Sequence, residues 1–200
     1  MTLPKLIREN RFCVIDCETT GVNIHRDELV QFAVVQVDYG RPSIRASSLV
    51  RPHRRIADGA IDAHGLTWQM LEHAPELTEV WPDFRTLIGS RTLVGFNVAF
   101  DHRILSRQLA ENGVQFDAGA VDVLTWERRF AGKGGKHNLL ACIERWELPV
   151  LEAHDALADC RMTWNLFVTL AARFPELGEL ALEEALAIKP APPLSADVKL

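Results

Sequence analysis

Three strand-length segments follow one another between residues 11 and 50, and they restrict the fold more than any other feature of the chain. Residues 11–17 (RFCVIDC) are short, apolar and β-branched, the pattern of a buried strand. Residues 28–38 (ELVQFAVVQVD) read as a second strand and residues 43–50 as a third. Between the last two, Tyr39-Gly40-Arg41-Pro42 supplies turn residues, so these strands are expected to form a hairpin. Residues 92–97 (TLVGFN) and 121–123 are further strand candidates, separated by helical pattern. Antiparallel strands followed by alternating strands and helices predict an α/β fold, a mixed five-stranded sheet flanked by helices.

The helical pattern is irregular over residues 60–88, with breaks expected at Gly65, Pro75 and Pro82. It is regular over 99–112, where Gly113 is placed to terminate it, and again over 155–174. Residues 1–174 thus read as one domain, 175–188 as a C-terminal helix packing on or extending it, and 189–200 as a flexible Pro-rich tail. Two hundred residues with 48% apolar and 24% charged content suit one domain with a substantial core. The formal charge of −5 is the wrong sign for a protein that coats duplex DNA non-specifically. No apolar stretch approaches the roughly 18 residues that span a bilayer, and MTLPKLIREN lacks a signal-peptide core, so no membrane partner and a cytoplasmic location are expected. Four cysteines without CxxC spacing read as reduced structural thiols.

Chemistry concentrates in Asp16-Cys17-Glu18-Thr19-Thr20-Gly21. On a strand, residues two apart share a face about 6.6 Å from one another, so Asp16 and Glu18 project together at a strand end. Alone, such a pair is more often two solvated acids. Two further acids change the weighing. Asp101 shares a helix face with Ile104, Leu105 and Gln108, and Asp159 shares one with Ala156, Thr163, Leu166 and Phe167. A carboxylate on a packing face needs a partner, and convergence of all four on hard divalent cations supplies one. His154 precedes Asp159 by five residues, about 140° apart on a continuous helix. It shares the site only from a preceding loop, with Asp155 near the helix N-cap.

The segments D-x-E-T-T-G at 16–21, N-x-x-F-D at 97–101 and H-x(4)-D at 154–159 resemble the three motifs of the DEDD (DnaQ-like) 3′–5′ exonucleases. His-Gly-Leu-Thr at 64–67 is similar to a further feature of the proofreading-type members, epsilon-subunit exonucleases of DNA polymerase III among them. His154 places the chain in the histidine subgroup, since the position of the tyrosine subgroup is Asp155. The resemblance implies a ribonuclease-H-like fold. It also implies Asp16, Glu18, Asp101 and Asp159 as ligands of two Mg²⁺ or Mn²⁺ ions, with His154 as general base. By similarity, Glu18 and Thr19 would meet the terminal nucleotide, and His64, Asn97 and Phe100 would line its sugar and base. Two divalent ions would take the formal charge from −5 to −1, easing approach to DNA.

The implied activity is hydrolysis of single-stranded or frayed DNA 3′ ends to 5′-mononucleotides, in proofreading or repair. Two alternatives stay open: a 3′–5′ exoribonuclease of the RNase T or oligoribonuclease kind, and a non-catalytic polymerase-associated subunit. A polymerase or clamp could dock on the C-terminal region. Phe100 and Trp68 are candidate stacking surfaces for unpaired bases. The Lys133–Gly–Gly–Lys136–His137 segment and the arginines of residues 51–55 are candidate phosphate contacts.

Overall fold

The computed structural model describes residues 3–131, 135–151 and 155–190. In chain order its elements are α1 (Lys5–Arg8), β1 (Arg11–Thr19), β2 (Leu29–Asp38), β3 (Arg41–Leu49), α2 (Asp58–His64), α3 (Trp68–Leu71), α4 (Leu77–Ile88), β4 (Thr92–Gly95), α5 (Val98–Glu111), β5 (Ala120–Asp122), α6 (Val123–Phe130), α7 (Leu139–Arg145), α8 (Ala156–Arg173), α9 (Pro175–Gly178) and α10 (Leu182–Ala185). The sheet order is β3-β2-β1-β4-β5. The β1–β2 and β2–β3 pairs are antiparallel, whereas β1–β4 and β4–β5 are parallel. The expected mixed five-stranded sheet with flanking helices is what forms.

Period-two alternation along β1 divides the core into two layers. Phe12 and Val14 belong to the layer under α8, with Leu166, Phe167 and Leu170. Cys13, Ile15 and Cys17 belong to the layer under α4 and α5, with Phe84, Ile104 and Leu105. Phe12 meets Phe167 edge-on at 5.8 Å, and burying such a ring stabilises the fold by roughly 1.5–3 kcal/mol. β1 is therefore fixed on both faces, and the acids at its C-terminal end stand on a rigid support.

Several boundaries differ from the sequence reading, each for a physical reason. The hairpin turn is only Tyr39-Gly40, because both adopt positive φ (54° and 82°), the two-residue geometry that matches strand twist. Arg41 already pairs with Asp38, and Pro42 is tolerated on the edge strand. β1 runs on to Thr19, and β5 ends one residue early because Asp122 caps α6, accepting from Leu124 N at 3.0 Å. Pro82 does not break α4. Leu77, Trp81, Phe84 and Ile88 bury one continuous stripe, and Glu76 and Glu79 close a capping box at its start.

Residues 176–188 do not form one helix. They fold as α9 and α10, after which Ile188 makes an antiparallel bridge to Ala120 on the sheet edge. Gly178 lets α9 sit against the Ala171 carbonyl, where a Cβ would collide. Burial of Leu177 and Ala185 and pairing with β5 override the helix preference of the Ala/Leu/Glu run, as tertiary context commonly does.

Candidate active site

Each acid arrives on a different support. Asp16 and Glu18 lie on β1, opposite Ala33 and Gln31 of β2. Asp101 is in the first turn of α5 and is buried. Asp159 is in the first turn of α8. Oxygens of Asp16, Glu18 and Asp159 all lie within 4.8 Å of one another. Asp101 stands close enough to be the strongest carboxylate neighbour acting on Asp16.

Local structure holds these positions. Asp155 is the N-cap of α8, accepting from Ala158 N at 3.0 Å. Gln31 donates to Asp155 Oδ1 at 3.3 Å and accepts from Ala156 N at 3.1 Å, tying the helix start to β2. One turn further along, the buried Cys160 thiol reaches the Val14 and Ala33 carbonyls at 3.7 and 3.6 Å. For α5, Gly95 makes room for Val98, whose Cγ2 would lie 2.8 Å from an added Cβ. Asn97 turns the chain at φ 62°, a left-handed conformation that asparagine tolerates. Its backbone N–H donates to Asp122 Oδ1 at 3.0 Å. Gly21 serves space rather than a special φ: an added Cβ would fall 2.5 Å from Asp27 Oδ2, which accepts from Asn23 N.

The electrostatics of this arrangement are adverse without cations. Burial, then repulsion from Asp101, Asp159, Glu18 and Asp155, raises the Asp16 carboxyl far above the usual range. Glu18 is pushed from 4.5 to about 8 by burial and by Asp159 and Asp101. Asp101 rises from 3.8 to about 7, chiefly by burial, with contacts from Cys17 pulling it back. Oxygen-only donors at this separation suit hard divalent cations, and such ions remove the repulsion that raises these values. The donor set therefore fits the metals that the sequence resemblance implies.

Beside the acids lies a cavity of about 440 Å³ bounded by Glu18, Thr19, Val22, Ala60, His64 and Phe100. The Thr19 hydroxyl donates to the Gly21 carbonyl at 2.7 Å, fixing the loop that forms its floor. His64 accepts from Leu66 N at Nδ1 (3.0 Å) and lies 3.1 Å from the Thr19 carbonyl at Nε2. These two contacts assign the neutral Nε2–H tautomer. Of the expected substrate contacts, Glu18, Thr19, His64 and Phe100 border the cavity, whereas Asn97 is exposed at the start of α5 and does not. Small residues of α2 that sequence reasoning passed over, Ala60 and Ala63, form another wall.

His154 and Lys133 lie outside the described residues. His137 does not face outward as a phosphate contact. Its Nδ1 lies 2.5 Å from Oε2 of the fully buried Glu127, whose other oxygen accepts from Arg145. Glu127, His137 and Cys142 could geometrically hold a metal, but the Arg145 guanidinium already balances Glu127 there. Arg51, Arg54 and Arg55 are paired with Glu76, Glu28 and Asp58. Trp68 is 46% exposed and belongs to no core layer.

A family profile described as exonuclease, of the RNase T type, matches residues 13–167. The chain is 27% identical over 176 residues to the PolC-type DNA polymerase III of Staphylococcus aureus, covering 88% of this chain and 12% of that protein. It therefore spans a small fraction of that relative. Exonuclease X in complex with 5′ overhanging duplex DNA matches with a TM-score of 0.71 at 27% identity, over 87% of this chain and 96% of that one. E. coli Exonuclease I in complex with a dT13 oligonucleotide matches with a TM-score of 0.73 at 19% identity, over 84% and 42% of the two chains. That second likeness concerns the fold alone, which is ribonuclease-H-like. Among the described residues, no helix is long and apolar enough to cross a membrane.

Proposed function

The chain belongs to the RNase T-type exonuclease family, and from that premise we propose that it removes 5′-mononucleotides one at a time from the 3′ ends of single-stranded or frayed DNA. One observation carries the reading: carboxylates from β1, α5 and α8 converge beside a cavity with room for a single terminal nucleotide. The choice of DNA draws support from the DNA-bound Exonuclease X, whose whole length this chain nearly covers.

Asp16, Glu18, Asp101 and Asp159 would hold two divalent ions. When bound, these would supply Lewis-acid activation of the attacking water and charge compensation at the departing 3′-oxygen. The chain's own part is positioning and proton transfer. β1 presents Asp16 and Glu18 from a strand packed on both faces, so little reorganisation is needed when the phosphate arrives. The ring of Phe100 and the alanines of α2 offer an apolar slot for any base, since every base has a π-face. His64, in contact with Leu66 N and the Thr19 carbonyl, keeps the Thr19 loop in place at the rim. His154, immediately before the N-cap of α8, takes the proton released by the attacking water. A polymerase or clamp partner for the C-terminal region belongs to the same proposal, with residues 1–174 as the catalytic unit.

The test is a 5′-end-labelled oligonucleotide, DNA or RNA, incubated with Mg²⁺, Mn²⁺ or EDTA. A ladder shortening from the 3′ end of DNA, lost with EDTA and with Asp16→Ala, supports the proposal. Preference for RNA reassigns the substrate, and no product on either makes the chain a binding subunit.

A further inference from the structure

The cavity beside the acids does not end at its rim. Gly21, Val22 and Ala57 border it and also border a second cleft, of about 540 Å³, that carries Arg26, Arg54 and Arg55. Arg55 also borders a third groove, of about 390 Å³, on the opposite side of α2, with Ile61, Thr67 and Trp68 along it. The surface thus presents in order an apolar slot at the acids, three guanidinium groups, and an indole ring.

These arginines are available. Each is near a carboxylate, but the pairs are loose or solvated. Arg26–Asp27 and Arg54–Glu28 are 3.7 Å apart, and Arg55–Asp58 is 2.9 Å apart, with guanidinium side chains 67%, 56% and 85% exposed. Exposed pairs of this kind contribute little, and each guanidinium keeps spare N–H donors for a phosphate oxygen. Trp68 opens α3 with nearly half its surface in solvent, followed by the exposed Met70. Trp68 is in none of the three buried core clusters.

We propose that Arg26, Arg54, Arg55 and Trp68 form a track for the substrate strand upstream of its 3′ terminus. The guanidinium groups take successive phosphates and Trp68 stacks on an unpaired base a few nucleotides from the end. A cationic groove punctuated by an aromatic ring is how single strands are held without sequence preference. Asp27, Glu28 and Asp58 balance the three charges overall, but the guanidinium groups carry the donors that a phosphate needs. The inference rests on the exonuclease reading above and adds to it a preference for strand length.

The experiment compares a dinucleotide with a long oligothymidylate as substrates for the wild type, Trp68→Ala, Trp68→Phe and Arg54→Glu/Arg55→Glu. Binding of the long strand is followed in parallel by fluorescence anisotropy across a salt series. Trp68→Ala is expected to raise KM for the long strand about 5- to 150-fold, leaving turnover of the dinucleotide unchanged, and Trp68→Phe recovers most of the loss. Each arginine removed lowers the slope of log affinity against log salt by about 0.7. Equal losses on both substrates, or no loss on either, would overturn the track. A wild type inactive on every nucleic acid would instead overturn the exonuclease reading itself.

Discussion

Gln31 and Asp155 are separated by 124 residues and joined by a 3.3 Å hydrogen bond, which couples the strand beside Glu18 to the first turn of the helix that bears Asp159. The same amide also accepts from Ala156 N. A side chain on β2 that holds no metal itself thereby sets the distance between acids on two different elements. Replacing it with Gln31→Leu keeps the size and removes both contacts. Groups that orient metal ligands in this way typically contribute 10- to 100-fold in metal affinity or activity. The expected outcome is a Mn²⁺ activation midpoint shifted upward by about that factor, measured by titrating the metal in a nuclease assay, with the far-ultraviolet circular dichroism unchanged.

Protonation of the acid cluster gives the metal-free protein an unusual pH dependence. Glu18 titrates near 8 and Asp101 near 7 in the fold, against 4.5 and 3.8 ordinarily. Across that window the folded state binds more protons than the unfolded chain, so unfolding free energy falls as pH rises. The urea midpoint of metal-free protein should therefore decline between about pH 4 and 8, the range set by these shifts. Saturating Mg²⁺ should flatten the decline, because the ions take over the role of the protons.

Repulsion among the acids also makes the site a stability liability. Asp16→Asn removes an acid that the fold must either protonate or hold charged among like charges, and should stabilise the metal-free protein at neutral pH by about 0.5–2 kcal/mol while abolishing cleavage. Thermal unfolding in EDTA and the end-labelled assay measure the two halves of this trade-off.

The ion-pair knot away from the site should behave in the opposite sense. Glu127 is fully buried and holds both His137 and Arg145. Glu127→Leu strips these groups of their partner and should cost roughly 3 kcal/mol, read from urea unfolding, with little change in KM.

Much of this was legible in the chain itself. Period-two alternation through β1 placed Asp16 and Glu18 on one face, and the fraction of a turn between His154 and Asp159 placed Asp155 at the N-cap, where it stands. Less legible were features that depend on contacts distant in sequence. Nothing in ELVQFAVVQVD marks Gln31 as the residue that clamps α8, because a glutamine on a strand usually faces water. Pro82 looked like a helix end, but the stripe of Leu77, Trp81, Phe84 and Ile88 carries α4 through it. Residues 176–188 have helical composition, yet Gly178 and the Ile188–Ala120 bridge draw them onto the sheet edge. His137 read as part of a basic loop because its partner, Glu127, lies ten residues away on another element.

The most direct measurement is calorimetric titration of Mn²⁺ into metal-free wild type and Asp16→Asn, repeated in buffers of different ionisation enthalpy. The account predicts two ions per wild-type chain, released protons that the buffers take up, and loss of at least one ion in the variant. Absence of binding to the wild type, or binding that Asp16→Asn leaves unaltered and that moves no protons, would contradict it.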